Sequence, residues 1–220
     1  MLAIDLISED IPALKTTDTG TLALQWMEDY KVSDLPVVKN NLFIGIINEN
    51  DVLNFKDPDL AIGKQKLNLN PIAVISNEHI YEVLNKISSG RLSIMPIIDK
   101  DGIYLGVISL YILIQSISKL TAINDVGGIL QLELNINDYS LSEIASIVES
   151  NGGKILSSYV HTHTDSTKMD VTIKINKSDL SGIIQTFERY NYSIAASFHK
   201  SEMEDLLKQR YQEFLHFLNM

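Results

Sequence analysis

The chain has no cysteine among its 220 residues. That excludes disulfides, a thiol nucleophile and thiolate metal sites. Basic residues are also scarce: 18 lysines and arginines stand against 28 acids, a net charge of −10. A phosphate-backbone binder needs a basic face, so nucleic-acid binding is not expected. Long apolar runs are missing too. Gly102 to Ser118 is free of charge, but Gly106, Ser109 and Gln115 break it and it is short for a membrane span. Asp5, Glu9 and Asp10 precede any basic residue, the wrong pattern for a secretory signal, so a cytoplasmic location without membrane insertion is expected. There is no Ser-His-Asp grouping, glycine-rich phosphate loop or HExxH stretch, so no enzyme activity is expected.

What the chain does have is a repeat. Leu35 to Phe55 reads as strand, tight turn, strand and helix. Pro36 opens an apolar run where a strand tolerates it. Lys39, Asn40 and Asn41 have turn chemistry. Gly45 interrupts the next run, marking a close approach of another segment. Asn48 has N-cap chemistry and Asp51 follows in the first helical turn. Met95-Pro96-Ile97-Ile98 repeats Leu35-Pro36-Val37-Val38, and Gly106-Val107-Ile108-Ser109 repeats Gly45-Ile46-Ile47-Asn48. Each copy is too small to bury a core alone, so the two are expected to pack together.

These duplicated motifs resemble the CBS domain repeat, two of which form a CBS pair (Bateman module). The resemblance covers residues 1–120, with repeats at about 1–60 and 61–120. It implies a regulatory ligand, an adenine nucleotide (AMP, ADP or ATP) or S-adenosylmethionine, and no tightly held cofactor. It implies ligand contacts at Pro36, Gly45, Asn48, Asp51 and Ser109, with the Asn48 position meeting phosphate and the Asp51 carboxylate accepting from a ribose diol. Asn48 and Asp51 have an alternative reading as plain helix caps. In the second repeat Ile112 replaces the acid, so the Asp51 cleft is the expected site. Where related sequences place a basic residue to meet phosphate, this chain has Ser33-Asp34 and Ser93-Ile94; the nearest cations are Lys31 and Arg91.

The rest of the first half is expected as follows. Residues 1–8 form a short leading helix. Thr17, Asp18 or Thr19 caps a helix burying Leu22, Leu24, Trp26, Met27 and Tyr30. Ser76 or Asn77 caps a second helix, with Ile80, Val83, Leu84 and Ile87, which Gly90 ends.

Past a linker with two glycines the pattern changes. Leu130, Leu132 and Leu134 alternate with polar residues, then a helix spans 141–148, two strands flank Asp165-Ser166-Thr167, Ser178 caps a further helix and a last strand covers 194–198. This β-α-β-β-α-β order over 127–200 resembles an ACT domain of ferredoxin-like topology. The resemblance implies an effector loop at Asn137 and Asp138, and a sheet suited to dimerisation; the loop keeps the family's acid but not its glycine, and Asp138 or Ser140 has the alternative reading of a plain helix cap. A CBS pair followed by an ACT domain resembles the AcuB-type acetoin-utilisation regulators. Met203, Leu206, Leu207, Phe214, Leu215 and Leu218 give 201–220 an amphipathic helical pattern, expected to pack within the protein's own assembly.

The fold class expected is therefore mixed α+β: a CBS pair, an ACT-like domain and a C-terminal helix. The expected function is non-enzymatic ligand sensing by a homodimer that regulates an enzyme or transporter, with a ligand-free scaffold as the alternative. His161, His163 and Asp165 share one strand face, where histidines and acids can bind zinc. A solvated hairpin face is the commoner meaning of such a row, so no metal is expected. His199 joins the row only if the last strand lies beside it.

Overall fold

The structure is a computed structural model that describes residues 1–8, 10–66, 69–164 and 166–198. Asp165, His199 and the helix expected over 201–220 lie outside the described residues. The chain divides into two compact units, one of residues 1–116 and one from Ile117 onward.

The first unit contains the repeat up to Ser116, within its last helix. Copy one runs β1 (Leu14–Lys15), α1 (Gly20–Tyr30), β2 (Asp34–Lys39), β3 (Leu42–Asn48) and α2 (Glu49–Leu53). Copy two runs β4 (Val74–Ile75), α3 (Ile80–Gly90), β5 (Ile94–Ile98), β6 (Tyr104–Ser109) and α4 (Leu110–Leu120). Each copy makes a three-stranded sheet, β1-β2-β3 and β4-β5-β6, with one parallel and one antiparallel pairing. The β2–β3 hairpin turns on Asn40 and Asn41, both left-handed (φ 50° and 66°). Two consecutive left-handed residues match the right-handed twist of the strands they join.

The copies are not closed on themselves. A single 3-10 turn (Ala3–Leu6), rather than the expected helix, lays the N-terminus on copy two. There the Ala3 and Ile4 N–H groups donate to Glu78 and Ser76 carbonyls, and Ser8 N–H donates to Val107 O of β6 at 2.8 Å. The connector after copy one does the reciprocal thing. Ile46 N–H of β3 donates to Asn70 O at 2.7 Å, and Asn70 N–H returns a bond to Ile46 O at 3.1 Å. Thus each copy's leading segment finishes the other copy's sheet.

That exchange explains two glycines. A Cβ on Gly45 (φ 150°) would lie 2.6 Å from Leu69 Cβ, and one on Gly106 (φ 157°) would lie 2.7 Å from Ile7 Cγ2. The crossing segments press directly on backbone at both positions.

Helix details differ from the sequence reading in four places. Thr19 caps α1, as anticipated, by accepting from Leu22 N–H, but the side buried is Ala23 and Met27, and Tyr30 is exposed. The cap of α3 is His79, whose Nδ1 accepts from Tyr81 N–H, rather than Ser76 or Asn77. Ser76 is occupied by the sheet: its N–H donates to Ile98 O and its carbonyl accepts from Ile4. Gly90 is the last helical residue, and the left-handed position that ends α3 is taken by Arg91 (φ 50°).

The second unit runs β7 (Gly128–Asn135), α5 (Leu141–Ser150), β8 (Ile155–Thr162), β9 (Lys168–Ile175), α6 (Ser181–Arg189) and β10 (Ser193–Phe198). Its antiparallel sheet has the order β10-β7-β9-β8. Leu130, Leu132 and Leu134 of β7 and Val171, Ile173 and Ile175 of β9 meet Ile144, Ile147, Ile183 and Phe187 in one core. Both helices therefore cover the same sheet face. The fourth difference is here: the N-cap position of α6 is Leu180, not Ser178, and Asp179 Oδ1 accepts from Ser181 N–H at 2.9 Å. Among the described residues no helix is long and apolar enough to cross a membrane.

Candidate functional site

β3 delivers Asn48 to the start of α2 with extended backbone (φ −103°, ψ 163°). Its Oδ1 accepts from Asp51 N–H at 2.9 Å, and its Nδ2 donates to Asp51 Oδ2 at 2.6 Å. The amide and the carboxylate thus hold each other, with the second carboxylate oxygen of Asp51 outside this pair. Ser109 takes the equivalent place in copy two. Its Oγ accepts from Ile112 N–H at 3.3 Å, and Ile112 has no carboxylate to answer it.

Asp34 begins β2 and is 5% exposed, the most buried acid among the described residues. Its Oδ2 accepts from Ser93 N–H at 2.7 Å, Ser93 Oγ–H at 2.7 Å and Ser33 Oγ–H at 3.2 Å. Ser33 N–H in turn donates to Ser93 Oγ at 3.0 Å. Ser33 and Ser93 are equivalent positions in the repeat, while Asp34 is matched by Ile94. One carboxylate therefore serves donors from both copies.

Beside this network lies a cleft of about 280 Å³, bordered by Ser33, Asp34, Ile46, Asn48, Asn70 and Arg91 among others. Of the residues expected to bind ligand, Asn48 borders it. Pro36 is buried in β2 opposite Ile46, and Gly45 lies beneath Leu69. Asp51 is reached through Asn48, and Ser109 stands in the other copy. Arg91 is the cation on the cleft wall. Lys31 instead pairs with Glu28, whose carboxyl its ammonium holds below the usual range. Asn70 joins the site only because the connector crosses copies, a placement no local pattern reveals.

The second unit has a larger cavity, about 490 Å³, bordered by Glu133, Asn135, Asp138, Glu143, Lys168 and Tyr192 among others. Asp138 accepts from Asn135 Nδ2 at 3.0 Å; Asn137 is not on the wall. Ser140 caps α5 by accepting from Glu143 N–H. Tyr192 donates its hydroxyl to Glu143 Oε2 at 2.8 Å, and burial together with this bond pushes the phenol up to about 12. The one ammonium on the wall, Lys168, is engaged by Glu133 at 2.5 Å. Carboxylates dominate, so the cavity disfavours an anionic ligand.

A CBS domain family profile matches residues 3–57 and 67–119. An inosine-5'-monophosphate dehydrogenase of Methanocaldococcus jannaschii is 24% identical over 162 residues, 73% of this chain. The match spans about a third (32%) of that protein's length. Among solved structures, a CBS domain pair/ACT domain protein of Thermotoga maritima is 21% identical, with a TM-score of 0.48, over 53% of this chain and 96% of that one. The CBS domain of a bacterial CNNM/CorC family Mg2+ transporter, solved with ATP, is 16% identical, with a TM-score of 0.43, over 53% of this chain and 87% of that one.

Proposed function

From the tandem CBS domain pair that residues 3–57 and 67–119 form, we propose that the chain is a non-enzymatic regulatory protein that senses an adenine nucleotide. The observation that carries this reading is the cleft of about 280 Å³, with Asn48 and Asn70 as hydrogen-bonding groups and Arg91 as its cation. Arg91 meets phosphate, and the free oxygen of Asp51 accepts from a ribose hydroxyl once Asn48 turns toward the ligand. Ile112 gives copy two no such acceptor, so one site per chain is expected. Nucleotide acts by preferring one arrangement of the two copies, since only differential affinity shifts a conformational equilibrium.

Titration calorimetry with AMP, ADP and ATP, and with S-adenosylmethionine as a competitor class, tests this. One nucleotide per chain is expected. Asp51→Ala should weaken it by about 1.5–3 kcal/mol, or roughly tenfold to a hundredfold, the worth of a charge-assisted hydrogen bond. Two equivalent sites, or unchanged binding by Asp51→Ala, would refute the assignment.

A second reading, a ligand-free scaffold, is favoured by one observation: the Asp34 and Glu49 carboxylates both stand on the cleft wall, where they outnumber Arg91 and repel phosphate. Absence of any binding heat selects that reading. The β-α-β-β-α-β order of the second unit supports an ACT-type domain and, with the CBS pair, an AcuB-type regulator of an enzyme or transporter. Among the described residues its outer strands β8 and β10 are paired on one side only, and their other edges suit pairing in a homodimer. Sedimentation of the whole chain as a dimer is expected; a monomer at high concentration would refute it.

A further inference from the structure

The face of the second sheet opposite its helices carries a cluster that the nucleotide reading does not use. Along β9, Met169, Val171 and Ile173 point into the core, which leaves Asp170 on the other face. The strand register sets His161 of β8 directly across from Asp170. His163 follows two residues on, anchored by its N–H to Lys168 O. The two imidazoles meet edge to face, with centroids 5.4 Å apart and planes at 85°. His163 Nε2 lies 3.2 Å from Asp170 Oδ2, at an angle that makes no hydrogen bond, although this nitrogen is shut off from solvent. One ligand atom from each of His161, His163 and Asp170 lies within 4.8 Å of the others.

We propose that these three side chains hold one divalent transition-metal ion of the zinc class. Two imidazoles and a carboxylate are the donor set of a borderline ion, and neither soft thiolates nor an all-oxygen cage is present to favour other metals. Bonds of roughly 2.0–2.2 Å to a shared tetrahedral ion place ligand atoms about 3.3–3.5 Å apart. Side-chain rotation on a fixed strand pair closes the remaining distance. The desolvated His163 Nε2 acquires a partner in the ion, which it lacks toward Asp170. Glu133 stands across from Asp170 on β7, but Lys168 engages it, so the fourth position is left to water. Asp170 joins the row because a residue across the hairpin shares the face as surely as one along the strand.

The test uses the full chain, stripped with a chelator and titrated with ZnCl2 by calorimetry, and with CoCl2 followed by visible absorption. One ion per chain and a four-coordinate cobalt spectrum are expected. Loss of an outer-shell partner typically costs 10–100-fold in metal affinity, so His161→Ala and Asp170→Asn should each cost at least about tenfold. His161 is on an exposed strand edge, so its variant should fold, with unchanged circular dichroism as the check. His79→Ala, in the first unit, should bind as the unaltered protein does. No zinc uptake, or unchanged uptake by a His161→Ala/His163→Ala double variant, would overturn the proposal.

Discussion

Gly45→Ala is expected to lower the unfolding free energy of the first unit by about 2–6 kcal/mol. Two terms contribute. The backbone there has φ 150°, which costs a side-chain-bearing residue about 1–3 kcal/mol. The added methyl would also lie 2.6 Å from Leu69 Cβ and 3.1 Å from Asn70 O, and overpacking of this kind costs about 1–3 kcal/mol. Thermal and urea denaturation measure the sum. A double-mutant cycle with Leu69→Gly separates the terms, since removing that Cβ should recover the clash and leave the strain. If Leu69→Gly does not lessen the cost of Gly45→Ala, the connector is not pressed against β3.

Asp34→Ala is the second large effect, at about 2–4 kcal/mol. It strips an acceptor from Ser93 N–H, Ser93 Oγ–H and Ser33 Oγ–H together, and each hydrogen bond to a charged group is worth about 1.5–3 kcal/mol net where no water takes the lost partner's place. The neighbouring cleft admits that water, so the loss stays below the simple sum. Asp34→Asn keeps one acceptor oxygen and should cost less than half as much. The same substitution removes a negative charge from the cleft wall. If a nucleotide binds there, Asp34→Asn should tighten it while destabilising the fold, an opposition that stability and calorimetric measurements on one variant reveal. Equal stability of all three proteins would show that the serine–aspartate network contributes nothing.

The sequence made the local structure legible. Asn40-Asn41 announced the β2–β3 turn, Asn48 and Ser109 announced helix starts, and alternating leucines announced β7. Each depends on residues a few positions apart. What escaped depends on partners far away in sequence. Ser76 has the side-chain chemistry of a cap, but its N–H is taken by β5 and its carbonyl by the N-terminal segment. Asp34 stands where related sequences place a basic residue, and its bonds run to the other copy. Asp170 could join His161 only through a hairpin register, which the turn around 165 did not specify. Arg91 was visible as a cation, but its left-handed position, where glycine is the usual choice, was not.

The crossing of leading segments between the copies has a consequence for how the first unit can be cut and assembled. A copy expressed alone carries a segment with no sheet to join and a sheet edge with no segment to cover it. Two such fragments, 1–66 and 67–120, should be weakly structured separately and should restore a native-like unit when mixed, as complementary halves. A protease nick in the polar connector near Asp57-Pro58 should likewise leave the halves associated, held by the Asn70–Ile46 and Ser8–Val107 bridges. The unit should melt in one transition, since neither half has a native state of its own to fall back on.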